Sequence, residues 1–161
     1  MVVIVMGVVG AGKTTVGSLL ARELGWEFVD GDSFHPAANV EKMSRGIPLS
    51  DADRDAWLGA IHDAVERWVG ERRNVVLACS ALKRVYRERI GVGPDVKFVY
   101  LKGSYKVIAQ RLRARHGHFA TEQLLDSQFA ILEEPDDAVT VDVSLEPEEM
   151  VAQIKSGLGL V

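Results

Sequence analysis

The chain has 161 residues, of which 47% are hydrophobic and 26% charged, and its formal net charge at pH 7 is −4. These values are typical of a single globular domain and argue against a disordered or fibrous chain. The acidic balance offers no basic surface for nucleic acid or an anionic membrane, and no segment approaches the ~20 apolar residues of a membrane span. We therefore expect a cytoplasmic protein whose partner is a small molecule.

The first predicted element is a short apolar strand, 2–6, which leads directly into Gly7-Val8-Val9-Gly10-Ala11-Gly12-Lys13-Thr14. This stretch fits the phosphate-loop pattern G-x-x-x-x-G-K-[ST] between a strand and a helix. Its backbone N–H groups would bind a polyphosphate. Lys13 would bind the β- and γ-phosphates of ATP, and the Thr14 hydroxyl would bind the accompanying Mg²⁺. A glycine-rich turn that binds nothing is the alternative. The predicted nucleotide contacts of this loop are Gly7, Gly10, Ala11, Gly12, Lys13, Thr14 and Thr15.

Strands and helices alternate along the rest of the chain. Apolar positions from Val16 to Leu24 recur at helical spacing up to Gly25, and a short strand, 27–29, follows. Further strands are predicted at 75–79, 97–101 and 139–143, and helices at 39–45, 51–68, 84–89, 105–115, 124–132 and 146–154. This order predicts an α/β fold: one domain, 1–161, with a five-stranded parallel sheet and helices on both faces. Ligands would gather at the carboxyl ends of the strands.

An acidic pair, Asp30-Gly31-Asp32, ends the second predicted strand. In an extended backbone the two carboxylates would point in different directions, so one could face a metal and the other an acceptor. We assign Asp30 to Mg²⁺, through water, and Asp32 to the proton of an attacking hydroxyl. A solvated turn, in which these residues merely suit the backbone, is the alternative.

Three arginines, Arg111, Arg113 and Arg115, lie beside a predicted loop, 115–119. Arg111 and Arg115 are four residues apart and would share a helix face, with Arg113 close by. Such a cluster can clamp ATP phosphates and exclude water when a mobile lid, about 113–122, closes. We predict nucleotide contacts for Arg111 and Arg113 and a catalytic role for Arg115. A solvated basic face is the alternative.

A second basic group follows the third strand. Lys83 and Arg87 would share a helix face, and two cations that converge on the crevice would suit an acceptor that carries a carboxylate. An exposed helix face is the alternative. His35 could hydrogen-bond a polyol, or serve only as a structural or solvated loop residue. Trp57 fits core packing better than a sugar platform, and the single cysteine, Cys79, fits a core thiol.

These motifs together resemble the gluconate kinase (gluconokinase) family over nearly the whole chain. The phosphate loop is common to many nucleotide enzymes, whereas the segments D-G-D-x-x-H-P and C-S-A-L-K are far more specific. The stretches that carry the resemblance are Gly7 to Thr14, Asp30 to Asp32 with His35-Pro36, 39–43, 48–54, Trp57-Leu58, Cys79 to Lys83, Tyr86-Arg87 and 117–119.

The resemblance implies ATP-dependent phosphorylation of D-gluconate at its 6-hydroxyl, with Mg²⁺, in a fold similar to shikimate and nucleoside monophosphate kinases. It implies further that Arg111 stacks on adenine, that Arg113 and Arg115 cover the phosphates, and that the loop near Pro147 completes the adenine pocket. The family is often dimeric, so a homodimer is expected. Ser80 occupies the position where many phosphate-loop proteins carry an acidic residue that binds Mg²⁺. In this chain Thr14 and Asp30 would bind Mg²⁺ instead. A shikimate kinase-like enzyme, or a regulatory module that binds ATP without turnover, is the alternative.

Overall fold

The five predicted strands form one parallel sheet. A computed structural model describes residues 1–116 and 119–161, without the side chains of 115, 116 and 119–121. The strands are β1 (Val2–Met6), β2 (Glu27–Asp30), β3 (Val75–Ala78), β4 (Val96–Lys102) and β5 (Val139–Asp142). Their order across the sheet is β2-β3-β1-β4-β5, and every pair is parallel. The predicted α/β fold is confirmed.

The helices follow the strands in the predicted order. They are α1 (Lys13–Leu24), α2 (Ala37–Ser44), α3 (Asp51–Gly70), α4 (Arg84–Ile90), α5 (Tyr105–His116), α6 (Phe119–Ile131) and α7 (Pro147–Leu158), with a 3₁₀ turn at Gly31–Phe34. The helix boundaries lie within five residues of the predicted ones, and the largest difference is at the start of α6. In the described ranges, none of these helices combines the length and the apolar character needed to cross a membrane.

Both faces of the sheet are covered, which explains the uninterrupted apolar character of β1. Val3 and Val5 pack with α1, α5 and α7, whereas Val2, Ile4 and Met6 pack with α3 and α4 on the opposite face. All five side chains are fully buried. Alternate residues of a strand point to opposite faces, so a strand between two helical layers must be apolar at every position.

Two predictions about individual segments change. The backbone after β2 does not stay extended, because Gly31–Phe34 form the 3₁₀ turn. The loop predicted at 115–119 is helical up to His116 and again from Phe119. Residues 117 and 118, inside the predicted lid 113–122, lie outside the described residues, so the lid remains a prediction. Cys79 is buried in the core as expected, and burial raises the pKa of its thiol to about 12.

The strand order determines which loops meet. β3 lies between β1 and β2, and the register pairs Ala78 at the end of β3 with Val5 on one side and Asp30 on the other. The phosphate loop after β1 and the acidic turn after β2 therefore flank the end of β3. This edge of the sheet holds the candidate site.

Candidate active site

The phosphate loop curls between β1 and α1. Gly10 and Gly12 adopt left-handed backbone angles, with φ of 82° and 98°, which glycine tolerates best. A side chain on Gly10 would also collide with Leu112, since its Cβ would lie 2.7 Å from the Leu112 Cγ. The Lys13 ammonium donates to the carbonyl oxygens of Gly7 and Val8 at 3.0 Å each. Of the predicted loop residues, Gly10, Gly12, Lys13, Thr14 and Thr15 line one cavity at the start of α1, and Ala11 lines the neighbouring one. Gly7 contributes the carbonyl oxygen that binds Lys13.

Lys13 sits in a low-dielectric position close to two carboxylates. Burial lowers the pKa of its ammonium, while the charges of Asp32 and Asp30 oppose that shift. The two carbonyl contacts hold the ammonium in the loop. A phosphate group would replace neutral acceptors with charged ones, which bind an ammonium more strongly.

A cavity of about 450 Å³ opens beside the loop. Gly10, Ala11, Gly12 and Thr15 line one side, and the opposite wall comes from α5 and from the start of α7. Arg111 and Pro147, both predicted nucleotide contacts, line this cavity together with Leu145 and Met150. A mixed apolar and cationic wall next to a phosphate loop suits a nucleotide base.

The acidic turn faces a smaller cavity, of about 200 Å³, together with the phosphate loop. Asp30, Asp32, Lys13 and Thr14 all line it. Asp30 caps the 3₁₀ turn, since its Oδ1 accepts a hydrogen bond from the Asp32 backbone N–H at 2.9 Å. Gly31 is required here, because a Cβ would lie 2.5 Å from the Ala78 carbonyl oxygen. The turn thus brings both carboxylates into one cavity, whereas an extended backbone would have directed them apart.

The two carboxylates and Lys13 influence one another electrostatically. Asp32 is open to the cavity, yet desolvation by the surrounding protein raises the pKa of its carboxyl. The Asp30 charge raises it further, and Lys13 opposes the shift. A carboxylate with a raised pKa is a stronger proton acceptor.

We call the smaller cavity, which is lined by the phosphate loop and the acidic turn, the phosphate junction. Its residues fit a magnesium ion that arrives with a nucleotide. Mg²⁺ prefers oxygen ligands and keeps several waters, so it needs only one or two protein groups besides phosphate oxygens. The Thr14 hydroxyl and the Asp30 carboxylate supply such oxygens beside the loop. No cluster of three or more metal-binding side chains occurs among the described residues, so a resident metal site built by protein alone is not found there.

A third cavity, of about 590 Å³, lies on the other side of the acidic turn. His35 and Trp57 form its floor, where their rings stack with centroids 4.3 Å apart and planes inclined by 11°. The Trp57 Nε1–H donates to the Gly31 carbonyl oxygen at 2.8 Å. Trp57 is only 1% exposed, so the core assignment holds, but the same ring also supports the cavity.

The hydrogen bonds of His35 define its protonation state. The Asn39 amide Nδ2 donates to the His35 Nδ1 at 3.2 Å and to the Asp53 carbonyl oxygen at 2.7 Å. With Nδ1 as acceptor, the ring proton lies on Nε2. Burial, assisted by the charge of Arg54, lowers the pKa of His35 to about 4. His35 is therefore a neutral N–H donor at pH 7.

Asp53 holds the wall of this cavity in place. Its carboxylate accepts from the Ser50 N–H and from Lys42, both at 2.9 Å, and the Ser50 hydroxyl accepts from the Asp53 N–H. This capping box fixes the start of α3 and ties α2 to it, and such a cap contributes about 1 kcal/mol. These contacts lower the pKa of Asp53 to about 2.

Arg54, in the first turn of α3, is the cation of this cavity, and the sequence interpretation did not assign it a role. Its Nη1 donates to the Leu49 carbonyl oxygen at 2.6 Å, and its guanidinium lies 5.7 Å from the centre of the Tyr86 ring. The side chain lines the cavity beside His35. In the sequence Arg54 stands out only as part of the 48–54 segment, because an isolated arginine after two aspartates gives no charge pattern.

Lys83 and Arg87 are not among the residues that line the third cavity, so their convergence on an acceptor stays a prediction that the cavity lining does not support. Arg87 is 9% exposed, and its guanidinium donates to the carbonyl oxygens of Ala81, Leu82 and Glu133 at 2.8, 3.1 and 2.8 Å. Lys83 precedes α4, and its ammonium binds the Asp51 carboxylate at 3.0 Å. Backbone carbonyl oxygens therefore occupy the Arg87 guanidinium, and a surface carboxylate occupies the Lys83 ammonium.

The arginines at the end of α5 differ from one another. Arg111 lines the cavity beside the phosphate loop, whereas Arg113 is exposed, binds the Glu122 carboxylate and does not line that cavity. The Arg115 side chain lies outside the described residues. The nucleotide contact of Arg113 and the catalytic role of Arg115 both stay predictions.

The chain resembles a group of small-molecule kinases. Residues 9–158 match the sequence profile of the shikimate kinase family. The gluconokinase of Gluconobacter oxydans (strain 621H) is 51% identical over 143 residues, which cover 88% of this chain and 80% of that protein. The thermoresistant gluconokinase of Escherichia coli (strain K12) is 44% identical, with 92% and 88% covered.

A solved structure gives the same result. The gluconokinase from Sinorhizobium meliloti 1021 superposes with a TM-score of 0.87 and 43% identity, covering 98% of this chain and 90% of that one. Identity at this level over nearly the full length, together with the phosphate loop and its neighbouring cavities, shows the family. The chain belongs to the gluconokinase family, within the shikimate kinase-like group of phosphate-loop kinases.

Proposed function

We propose that this protein transfers the γ-phosphoryl group of ATP to the 6-hydroxyl of D-gluconate and yields 6-phospho-D-gluconate and ADP. The observation that carries the proposal is a continuous path of three cavities. The cavity beside the loop and the phosphate junction share Gly10 and Gly12, and the junction shares Lys13 and Asp32 with the third cavity. A donor at one end can therefore reach an acceptor at the other.

The chemistry at the junction needs little beyond positioning and charge. The acceptor oxygen forms a bond to the γ-phosphorus while the bond from that phosphorus to the β,γ-bridging oxygen breaks, and ADP leaves. Lys13 exchanges its two carbonyl partners for phosphate oxygens and neutralises their charge. Asp32 accepts the proton of the attacking hydroxyl and returns it to solvent. Mg²⁺, held by Thr14 and Asp30, would neutralise further phosphate charge.

The third cavity, which we call the acceptor cavity, supplies groups of the right chemistry for a sugar acid. Arg54 offers a cationic fork for a carboxylate, and the neutral His35 offers one N–H to a hydroxyl. The stacked Trp57 keeps the imidazole in place. Such a site discriminates through its polar groups, because an acceptor that lacks the carboxylate would leave Arg54 without its anionic partner.

The proposal also covers the residues that contact the nucleotide, the cellular location of the protein and its oligomeric state. Arg111 and Pro147 are proposed to hold adenine, and Arg115 to reach the phosphates from a lid at 113–122. The need for ATP supports a cytoplasmic location. A homodimer is proposed from the family resemblance alone.

A coupled assay that reports ADP formation tests the function. The protein is offered Mg-ATP with D-gluconate, shikimate or a nucleoside monophosphate in separate reactions, and phosphorus NMR identifies the phosphorylated carbon. We expect turnover with gluconate and a 6-phosphate product. Turnover of shikimate with none of gluconate would point to the shikimate kinase-like alternative, and binding of ATP without turnover of any acceptor would point to a regulatory module.

A further inference from the structure

Gln128 on α6 connects the phosphate loop with the acceptor cavity. Its Oε1 accepts a hydrogen bond from the backbone N–H of Val9 at 2.6 Å, although 119 residues separate the two. Val9 is the third residue of the loop and lines both the phosphate junction and the acceptor cavity. Gln128 lines the same acceptor cavity, as does Leu124 one helical turn earlier. One side chain therefore touches the donor loop and borders the acceptor.

A primary amide is suited to such a position, because it accepts at one atom and donates at the other. The amide group is planar, so the bond from Oε1 to Val9 leaves Nε2 on the other side of the amide, free to donate to another acceptor. Gluconate carries hydroxyl and carboxylate oxygens that accept hydrogen bonds. Its carboxylate would bind Arg54, so hydroxyls nearer the junction are the natural partners of Nε2.

We propose that Gln128 couples acceptor binding to the position of the phosphate loop. Its Nε2 donates to a hydroxyl of the bound acceptor, while its Oε1 holds Val9 and with it the loop that carries the γ-phosphate. The acceptor thereby orders the side chain that orders the loop. Coupling between two sites is reciprocal, so the nucleotide must tighten acceptor binding by the same factor. This inference rests on the proposed function.

The test measures the affinity for a non-hydrolysable ATP analogue by calorimetry, with and without saturating D-gluconate, alongside kcat and KM for both substrates. In the wild-type protein we expect gluconate to tighten analogue binding about fivefold or more. In Gln128→Leu we expect no tightening and a kcat lower by about ten- to hundredfold, since misplaced reacting groups cost that much. Affinity for the analogue alone should change by less than about threefold, because the other loop N–H groups still bind phosphate.

Two further variants make the result specific. Gln128→Glu keeps an oxygen for Val9 but has no N–H to donate, so we expect it to lose coupling as the leucine variant does. Gln123→Leu makes the same change at an exposed position of α6 and should keep coupling and kcat. Thermal unfolding of each variant checks the fold.

The failing outcomes are distinct. Full coupling and kcat in Gln128→Leu would overturn the inference, and wild-type coupling in Gln128→Glu would reduce Gln128 to a structural cap on the loop. Wild-type protein that turns over but shows no coupling would overturn it as well. Absence of gluconate turnover by the wild-type protein would instead overturn the proposed function, and this inference with it.

Discussion

Arg54 gives the sharpest test of acceptor recognition, because its side chain combines a structural contact with a position in the acceptor cavity. Arg54→Gln removes the charge and the fork but keeps an N–H that can reach the Leu49 carbonyl oxygen. Hydrogen bonds between charged groups contribute about 1.5–3 kcal/mol. At about 1.4 kcal/mol for each factor of ten, kcat/KM for gluconate should fall roughly 10- to 150-fold.

The assay compares gluconate with D-glucitol, a neutral polyol of the same chain length, used as an acceptor or as a competitive inhibitor. If Arg54 binds the carboxylate, the affinity for glucitol should change by less than about threefold, because no ion pair is lost. Arg45→Gln is the matched control, since Arg45 is exposed and its one side-chain ion pair with a described residue is a surface pair with Glu41 at 3.6 Å. Such pairs contribute little, so this variant should behave as wild type.

The structure offers a second measurement on the same variant. The charge of Arg54 contributes to the depressed pKa of His35, which is about 4 in the folded protein. Removing that charge should raise the His35 pKa, while burial still keeps it below 6.5. An NMR titration of the imidazole would show this. Equal losses for gluconate and glucitol, or no loss for either, would refute the assignment of Arg54 to the carboxylate.

Three further variants test the other roles. Asp32→Asn should lower kcat by about 10²-fold or more with ATP affinity kept, as measured by initial rates and calorimetry, and near-normal kcat would leave Asp32 a turn residue. Arg87→Ala should reduce the free energy of unfolding by about 2–4 kcal/mol, because three carbonyl oxygens lose their donor. An unchanged denaturation midpoint together with a raised KM for gluconate would instead show that Arg87 binds the acceptor. The folded-state pKa of His35 is depressed to about 4, so the unfolded chain binds more protons below pH 6.5, and stability should fall as the pH drops from 6.5 to 4. Urea unfolding at several pH values measures this loss. Between pH 6.5 and 4 the free energy of unfolding should fall by about 1–2 kcal/mol less in His35→Gln than in the wild-type protein. The same pH dependence of the free energy of unfolding in both proteins would contradict the depressed pKa.

The parts of the site that are contiguous in sequence were predictable. The phosphate loop is one uninterrupted segment whose glycines and flanking elements specify its shape, and Gly25 ends α1 in the left-handed conformation that the sequence suggested. Parallel strands gather their carboxyl ends at one edge, so the topology alone placed the acidic turn beside the loop. Arg111 and Pro147 line the cavity beside the loop, and their contact with adenine stays a prediction.

The acceptor side depended on tertiary contacts that no local pattern reveals. Arg87 reaches back to carbonyl oxygens five and six residues earlier, because Ala81 has a positive φ of 45° and turns the chain toward α4. A helix-face argument cannot anticipate that turn. Arg54 and Gln128 are single polar residues on helices, and only the packing of those helices against the loop makes them part of the site.

The charges along the three cavities also define how an acceptor can bind. Lys13 and Asp32 line the same cavity beside the phosphate loop, and Arg54 lines the cavity beyond the acidic turn. An acid with a hydroxyl at its far end can satisfy Arg54 and Asp32 at once only with its carboxylate at Arg54. In the reverse orientation the carboxylate would meet the charge of Asp32 and of the γ-phosphate, which repel it. The neutral His35 adds no charge between these ends. We therefore expect the order of charges, more than the shape of any single residue, to select the terminal hydroxyl as the phosphorylated group.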